Sequence, residues 1–295
     1  MTLAGQLRLT LEMIKFQHSV FALPFALTGA LLAVRGSGLS ASQVWGKLGW
    51  IVLAMVAARS AAMAFNRLAD AAIDARNPRT LARALPAGLL PRSFAWGVVA
   101  ASSGAFLLAA WRLNPLCLKL APLALAIVFF YSYTKRWTLF SHLILGFCLG
   151  MAPAAACIAV RGRLDPPVLL LTAAVMLWTA GFDIIYACQD YDFDRAEGLH
   201  SLPARIGVGP SLWAARSLHA AMVLLLLWLA LLLALGPLSL AGVALVAALL
   251  CYEHSLVSAG DLSRVNAAFF NVNGLVSVLF FVFWAADLWY ASPAR

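Results

Sequence analysis

Asn66, Asp70 and Asp74 recur every four residues in the run Asn66-Arg-Leu-Ala-Asp70-Ala-Ala-Ile-Asp74-Ala-Arg76-Asn-Pro-Arg79. On a helix such residues share one face, which drifts slowly around the axis. Two carboxylates one turn apart, with an amide above them, offer hard oxygen ligands to a divalent cation. Mg²⁺ in particular is held by one or two carboxylates together with phosphate oxygens of a substrate. The competing reading is a polar helix end bearing two solvated acids, and so short a pattern does not separate the two by itself.

A second acidic run sharpens the choice. Asp183, Tyr186, Asp190 and Asp194 stand at i, i+3, i+7 and i+11, which is one helical stripe, whereas Asp192 points away and reads as solvated. The chain then continues Arg195-Ala-Glu197-Gly198-Leu-His200-Ser201-Leu-Pro203-Ala-Arg205, with Gly198 placed to cap the helix. A third polar piece is Tyr131-Ser-Tyr133-Thr-Lys135-Arg136-Trp-Thr138. Its aromatics read as an interfacial belt. Lys135 and Arg136, with Arg79 and Arg83, can clamp a diphosphate bridged by Mg²⁺. Near the N-terminus, His18 is either an interfacial residue or a donor lining a cavity.

The elements that must position these residues are membrane helices. The chain of 295 residues is 63% hydrophobic and only 11% charged, with a mean hydropathy of +0.90. Soluble domains are about 45–50% apolar and about 25% charged. Long Leu/Ala/Val/Phe runs broken by Pro and Gly predict helices, not the alternating strands of a barrel. Nine spans are expected, over 17–35, 48–66, 94–112, 115–134, 140–160, 166–187, 211–235, 238–257 and 267–290. The expected architecture is all-α and polytopic, a single transmembrane domain over 1–295. The five cysteines are scattered through apolar runs without any CxxC or Cys/His pairing, so they read as small core residues.

Charge gives the sidedness. Thirteen of the 21 Lys and Arg residues fall at the N-terminus and in the even loops, and seven on the other side. The positive-inside bias therefore places the N-terminus and the even loops in the cytoplasm of a cell inner or plasma membrane. The net charge of +9 follows from this topology and an anionic ligand, not from nucleic acid. Six of only 12 acids sit in the two acidic runs, each at the cytoplasmic end of an even-numbered span. A carboxylate at membrane depth costs about 2.5–3.5 kcal/mol on insertion scales. Two such groups at one depth and on one side are expected to meet around cations.

The three motifs, in order, carry a resemblance. Asn66-Arg67-xx-Asp70-xxx-Asp74-xx-Asn77-Pro78-Arg79-Thr80, Tyr131-x-Tyr133-x-Lys135-Arg136-x-Thr138 and Asp183-xx-Tyr186-xxx-Asp190-xxx-Asp194-xxx-Gly198-xx-Ser201 resemble those of the UbiA superfamily of membrane prenyltransferases. The resemblance implies nine helices around a central cavity, two Mg²⁺ ions on two Asp-rich motifs, a polyprenyl diphosphate donor and an aromatic acceptor. The chain looks most like the 4-hydroxybenzoate polyprenyltransferases of ubiquinone and menaquinone biosynthesis, which act on an aromatic hydroxy acid. One stretch departs: where those enzymes commonly read Gly-Ile-Lys-Ser, this chain has Gly198-Leu199-His200-Ser201. Ala187-Cys188-Gln189-Asp190 together with Leu199-His200-Ser201-x-Pro203-Ala204-Arg205 is similar to a subgroup of futalosine-route menaquinone synthesis, whose implied acceptor is 1,4-dihydroxy-6-naphthoate.

Ionisation of the allylic C–O bond leaves a carbocation and a diphosphate, whose growing charge metal ions and basic side chains stabilise. The expected ligands are Asp70 and Asp74 for one ion, and Asp190 and Asp194 for the other. Asn66, Arg67, Arg79, Lys135 and Arg136 are the expected diphosphate contacts. Asp183 or Asp190 takes up the ring proton, and Tyr186 orients the acceptor, with His18 and His200 as further acceptor contacts. The prenyl tail would pass between helices into membrane lipid. A cation-coupled transporter is the rival from another class, but it favours acids at the bilayer midplane.

Overall fold

A computed structural model describes residues 3–14 and 19–290. The described chain is built of helices: α1 (Leu3–Met13), α2 (Ser19–Val34), α3 (Ala41–Asp74), α4 (Arg92–Leu113), α5 (Pro115–Thr134), α6 (Ser141–Arg161), α7 (Val168–Ala187), α8 (Tyr191–Ala196), α9 (Leu202–Ile206), α10 (Val208–Leu232), α11 (Pro237–Ser255), α12 (Val265–Ala267) and α13 (Asn273–Tyr290). Eight helical segments among the described residues are long and apolar enough to cross a membrane. The first expected span appears as the shorter apolar stretch Phe21–Val34. This is a multi-pass membrane protein. All five cysteines are free thiols.

The largest departure from the expected spans is α3. It runs unbroken over 34 residues, well past both ends of the apolar window 48–66. Hydropathy marks only the part of a helix that lipid requires to be apolar, and a helix continues wherever its backbone stays paired. At 1.5 Å per residue α3 is about 51 Å long, against a hydrocarbon core of about 30 Å. Asn66, Asp70 and Asp74 therefore ride on the helix itself. The helix stops before Asn77-Pro78, because the residue preceding a proline is pushed out of the helical region. Thr80 Oγ1 donates 2.9 Å to the Asp74 carbonyl, which the helix leaves without an internal partner.

The chain divides into two compact units, residues 1–19 with 49–133, and 20–48 with 134–295. In the first, Met13 and Ile14 pack with Ala64, Leu90, Ala95 and Val99. Phe65 of α3 stacks on Phe129 of α5 at 4.5 Å and meets Tyr133 edge-on.

In the second unit, glycines set the spacing of α6 and α7. A Cβ on Gly150 would lie 2.7 Å from the Thr172 carbonyl oxygen, and one on Gly146 would collide with the Met176 carbonyl oxygen. Small residues one turn apart let two backbones touch where lipid supplies no hydrophobic drive for association. The core around them gathers Phe25, Trp178, Met222, Leu226, Phe280 and Trp284.

That core also encloses a polar chain absent from the sequence reading. Trp178 Nε1 donates to Asn273 Oδ1 at 2.7 Å, and Asn273 Nδ2 donates to Glu253 Oε1 at 2.7 Å. His219 Nδ1 lies 3.0 Å from His254 Nε2. Asn273 follows a π-helical turn, Ala268–Val272, and its amide also bonds the Ala268 and Phe269 carbonyls that this turn leaves displaced. Asn273→Leu strands the Glu253 carboxyl and the Trp178 indole N–H in a dry core. Its expected cost is about 2 kcal/mol, read as a lower unfolding temperature in detergent. Glu253→Gln keeps an oxygen for Asn273 and is expected to stay close to the wild type.

Candidate active site

The first carboxylate pair is buried rather than solvated: Asp70 is 6% exposed and Asp74 5%. Asn66 Nδ2 donates to Asp70 Oδ2 at 3.1 Å, one turn along the helix as the four-residue spacing requires. Asp74 receives Arg83, whose Nη1 lies 2.8 Å from both carboxylate oxygens. Arg67 approaches the same carboxylate at 3.9 Å and donates to the Met13 carbonyl. Arg83 comes from the loop after α3, so the Thr80 bond to the Asp74 carbonyl and the Asn77 side-chain turn onto Arg79 N–H shape the segment that delivers it.

A buried carboxylate needs a counter-charge, and Arg83 supplies one at Asp74. Arg83→Ala is expected to lower the stability of metal-free protein by about 1–2 kcal/mol, discounted because the arginine is partly solvated. Thermal unfolding with and without Mg²⁺ checks this, and added Mg²⁺ recovers part of the loss.

The second acidic run departs from the expected single stripe. α7 ends at Ala187, a 3-10 turn spans Cys188–Asp190, and α8 takes over at Tyr191. Tightening of the last turn is common where a helix runs out of carbonyl partners, and three residues at 120° instead of 100° turn the stripe by roughly 60°. Asp190 and Asp194 are thereby rotated away from the line through Asp183 and Tyr186. Asp194 is buried, Asp190 and Asp183 are half-buried, and Asp192 is exposed, as its place off the stripe predicts. The Asp194 carboxylate lies within charge range of Asp190, Lys135 and His142, beside the Ser201 hydroxyl.

Asp183 accepts from His142, Nδ1 to Oδ2 at 2.6 Å. Sequence reasoning missed His142. Its signal was a lone histidine in the first turn of an apolar span, six residues after Arg136. Tyr186 packs on Phe269 at 4.3 Å, and Phe182, Phe270, Trp178 and Phe21 extend that aromatic wall.

Of the basic and histidine candidates, Lys135 is half-buried and accepts the His200 N–H on its carbonyl at 2.7 Å. Arg79, Arg136 and His200 are exposed. His18 lies outside the described residues.

The donors present suit a hard cation. Among the described residues no three His, Cys, Asp or Glu side chains gather into a metal cage. Each aspartate pair offers only oxygens, and an ion held by one or two carboxylates and completed by phosphate oxygens is the habit of Mg²⁺.

Comparison with known proteins gives the family. The profile of the UbiA prenyltransferase family matches residues 22–275. The 4-hydroxybenzoate octaprenyltransferase of Chromohalobacter salexigens is 30% identical over 242 residues, covering 81% of this chain and 79% of that relative. An apo UbiA homologue from Aeropyrum pernix K1 has a TM-score of 0.82 at 35% identity, covering 92% of this chain and 98% of that one. A UbiA homologue from Archaeoglobus fulgidus, solved bound to DMAPP and Mg²⁺, has a TM-score of 0.71 at 20% identity, covering 95% and 98%, and at that identity it speaks for the fold alone. With its oxygen-donor pairs, its membrane helices and a match over most of its length, this chain belongs to the UbiA prenyltransferase family.

Proposed function

We propose that this prenyltransferase moves a polyprenyl chain from an allylic diphosphate to an aromatic hydroxy acid of the 4-hydroxybenzoate type, in ubiquinone or menaquinone biosynthesis. The observation that carries the reading is the relatives named 4-hydroxybenzoate octaprenyltransferase, at about 30% identity over roughly four fifths of both chains. Two Mg²⁺ ions, one on Asp70 and Asp74 and one on Asp190 and Asp194, would when bound neutralise the charge that develops on the departing diphosphate.

The chain's own residues do the rest. Asn66 holds Asp70 in register through its amide. Arg67, Arg79, Lys135 and Arg136 bind phosphate oxygens, with Arg83 released from Asp74 to join them. Tyr186 orients the acceptor ring against the aromatic wall, and His18 and His200 add contacts to it. The same wall excludes water, which would otherwise capture the allylic cation. Asp183, which carries one hydrogen bond and is assigned no metal, accepts the ring proton; Asp190 would hold an ion instead.

The domain spans 1–295, the N-terminus and the site face the cytoplasm, and the prenyl tail reaches lipid between helices. The lysine and arginine bias toward that side supports the orientation. A second reading, 1,4-dihydroxy-6-naphthoate as acceptor, is favoured by Leu199-His200-Ser201-Leu-Pro203-Ala204-Arg205.

One donor tested against a panel of hydroxybenzoates and naphthoates, with products read by mass spectrometry, separates the two. A prenylated 4-hydroxybenzoate is the expected product. A prenylated naphthoate alone would move the protein to the second reading, and ion flux in proteoliposomes without any prenylated product would overturn both.

A further inference from the structure

His142 opens α6 and Asp183 stands near the end of α7, so in this antiparallel pair they lie at the same end. His142, Gly146 and Gly150 fall at i, i+4 and i+8. The face of α6 that gives up its side chains to touch α7 is therefore the face that aims the imidazole at Asp183. The imidazole has a second partner: its Nε2 accepts the Leu202 N–H at 3.3 Å.

That second bond fixes the ring proton. A nitrogen that accepts an N–H must present its lone pair, so in the neutral ring the proton sits on Nδ1 and is donated to Asp183 Oδ2. Leu202 is the first residue of α9, whose leading N–H groups have no partner within the helix. Ser201 serves Ala204, and His142 serves Leu202. The histidine is buried, and the Asp183 side chain keeps 19% exposure. Asp183 Oδ1 makes no hydrogen bond among the described residues.

We infer that His142 is a positioning residue that holds Asp183 by one oxygen, leaving the other to take the proton released by the aromatic acceptor. The inference rests on the proposed reading of Asp183 as proton acceptor. The step balances. After the new C–C bond forms, the ring C–H bond breaks, its electron pair restores aromaticity, and the proton goes to Asp183 Oδ1. Oδ2 stays bonded to His142. The histidine does not take the proton itself, because its Nε2 lone pair is engaged by Leu202. The same ring thereby ties the segment after the second acidic run to the proton acceptor.

The test uses the purified full chain with Mg²⁺, an allylic prenyl diphosphate, and 4-hydroxybenzoate with and without ring deuterium. His142→Ala is expected to lower kcat about tenfold, a fraction of what a complete proton-transfer catalyst contributes. The KM for the donor stays unchanged, and the isotope effect rises above the wild-type value because proton removal becomes limiting. His142→Asn, whose amide reaches the Nδ1 position, is expected to restore part of kcat and return the isotope effect toward the wild type. It also carries the test should the alanine variant fail to fold. A lowered kcat in both variants with no change in isotope effect assigns His142 a purely structural role and overturns the inference. So does wild-type behaviour of His142→Ala while Asp183→Asn is slow. Full activity in Asp183→Asn removes the proton-acceptor reading and the inference with it.

Discussion

Asp190→Ala lowers kcat for prenyl transfer by about a hundredfold to a thousandfold, the loss expected when one preorganised stabiliser of a charged leaving group is removed. The arithmetic corresponds to about 2.7–4 kcal/mol of transition-state stabilisation. Asp190 closes the 3-10 turn and is half-buried, so truncation removes an oxygen donor without emptying the core. The unfolding temperature is therefore expected to hold while turnover collapses. Asp192→Ala, two residues on and exposed, serves as the control with unchanged activity.

Asp70→Ala is expected to match Asp190→Ala. If both pairs assist the same ionisation, the double variant loses less than the product of the two single losses, because groups acting as a unit are not additive. Product measured by chromatography under saturating donor and acceptor checks all four proteins. Near-wild-type turnover in either single variant would end the metal assignment.

The second large effect is on stability. Gly146→Val places a branched side chain where the Met176 carbonyl oxygen already sits, and backbone cannot yield as a flexible side chain does. Overpacking of this kind costs about 3 kcal/mol, and the separation of α6 from α7 also withdraws His142 from Asp183. The expected result is poor yield from membranes, a markedly lower unfolding temperature, and activity lost in proportion to folded protein. Gly104→Ala in α4 is the control, since an added Cβ there meets nothing within 4 Å. An unchanged unfolding temperature in Gly146→Val would show that the helices are not held at this spacing.

Much of this was legible in the residues. Lipid forces backbone polar groups to pair internally, so long apolar runs report helices with little ambiguity, and the spans expected over 94–112, 115–134 and 140–160 match α4, α5 and α6 within about two residues. The four-residue beat of Asn66, Asp70 and Asp74 placed them on one helix face, and there the structure joins the Asn66 amide to the Asp70 carboxylate. Three things were not legible, each for a physical reason. The 3-10 turn at Cys188–Asp190 depends on how the end of α7 satisfies its carbonyls, which periodicity does not encode. Arg83 stood among several arginines of one loop, and only the path fixed by Thr80 and Asn77 selects it for Asp74. His142 and the Trp178–Asn273–Glu253 chain join residues 20 to 95 positions apart, so no local pattern announces them.

The length of α3 has its own consequence. An unbroken helical rod of 34 residues does not readily shorten, so a thicker or thinner bilayer is met by a change in its tilt. Asp70 and Asp74 sit in the last turns of that rod, where a small rotation about its middle moves them most along the membrane normal. Acyl-chain length in the surrounding lipid thus becomes a variable of the chemistry, acting on the depth of one carboxylate pair without touching it.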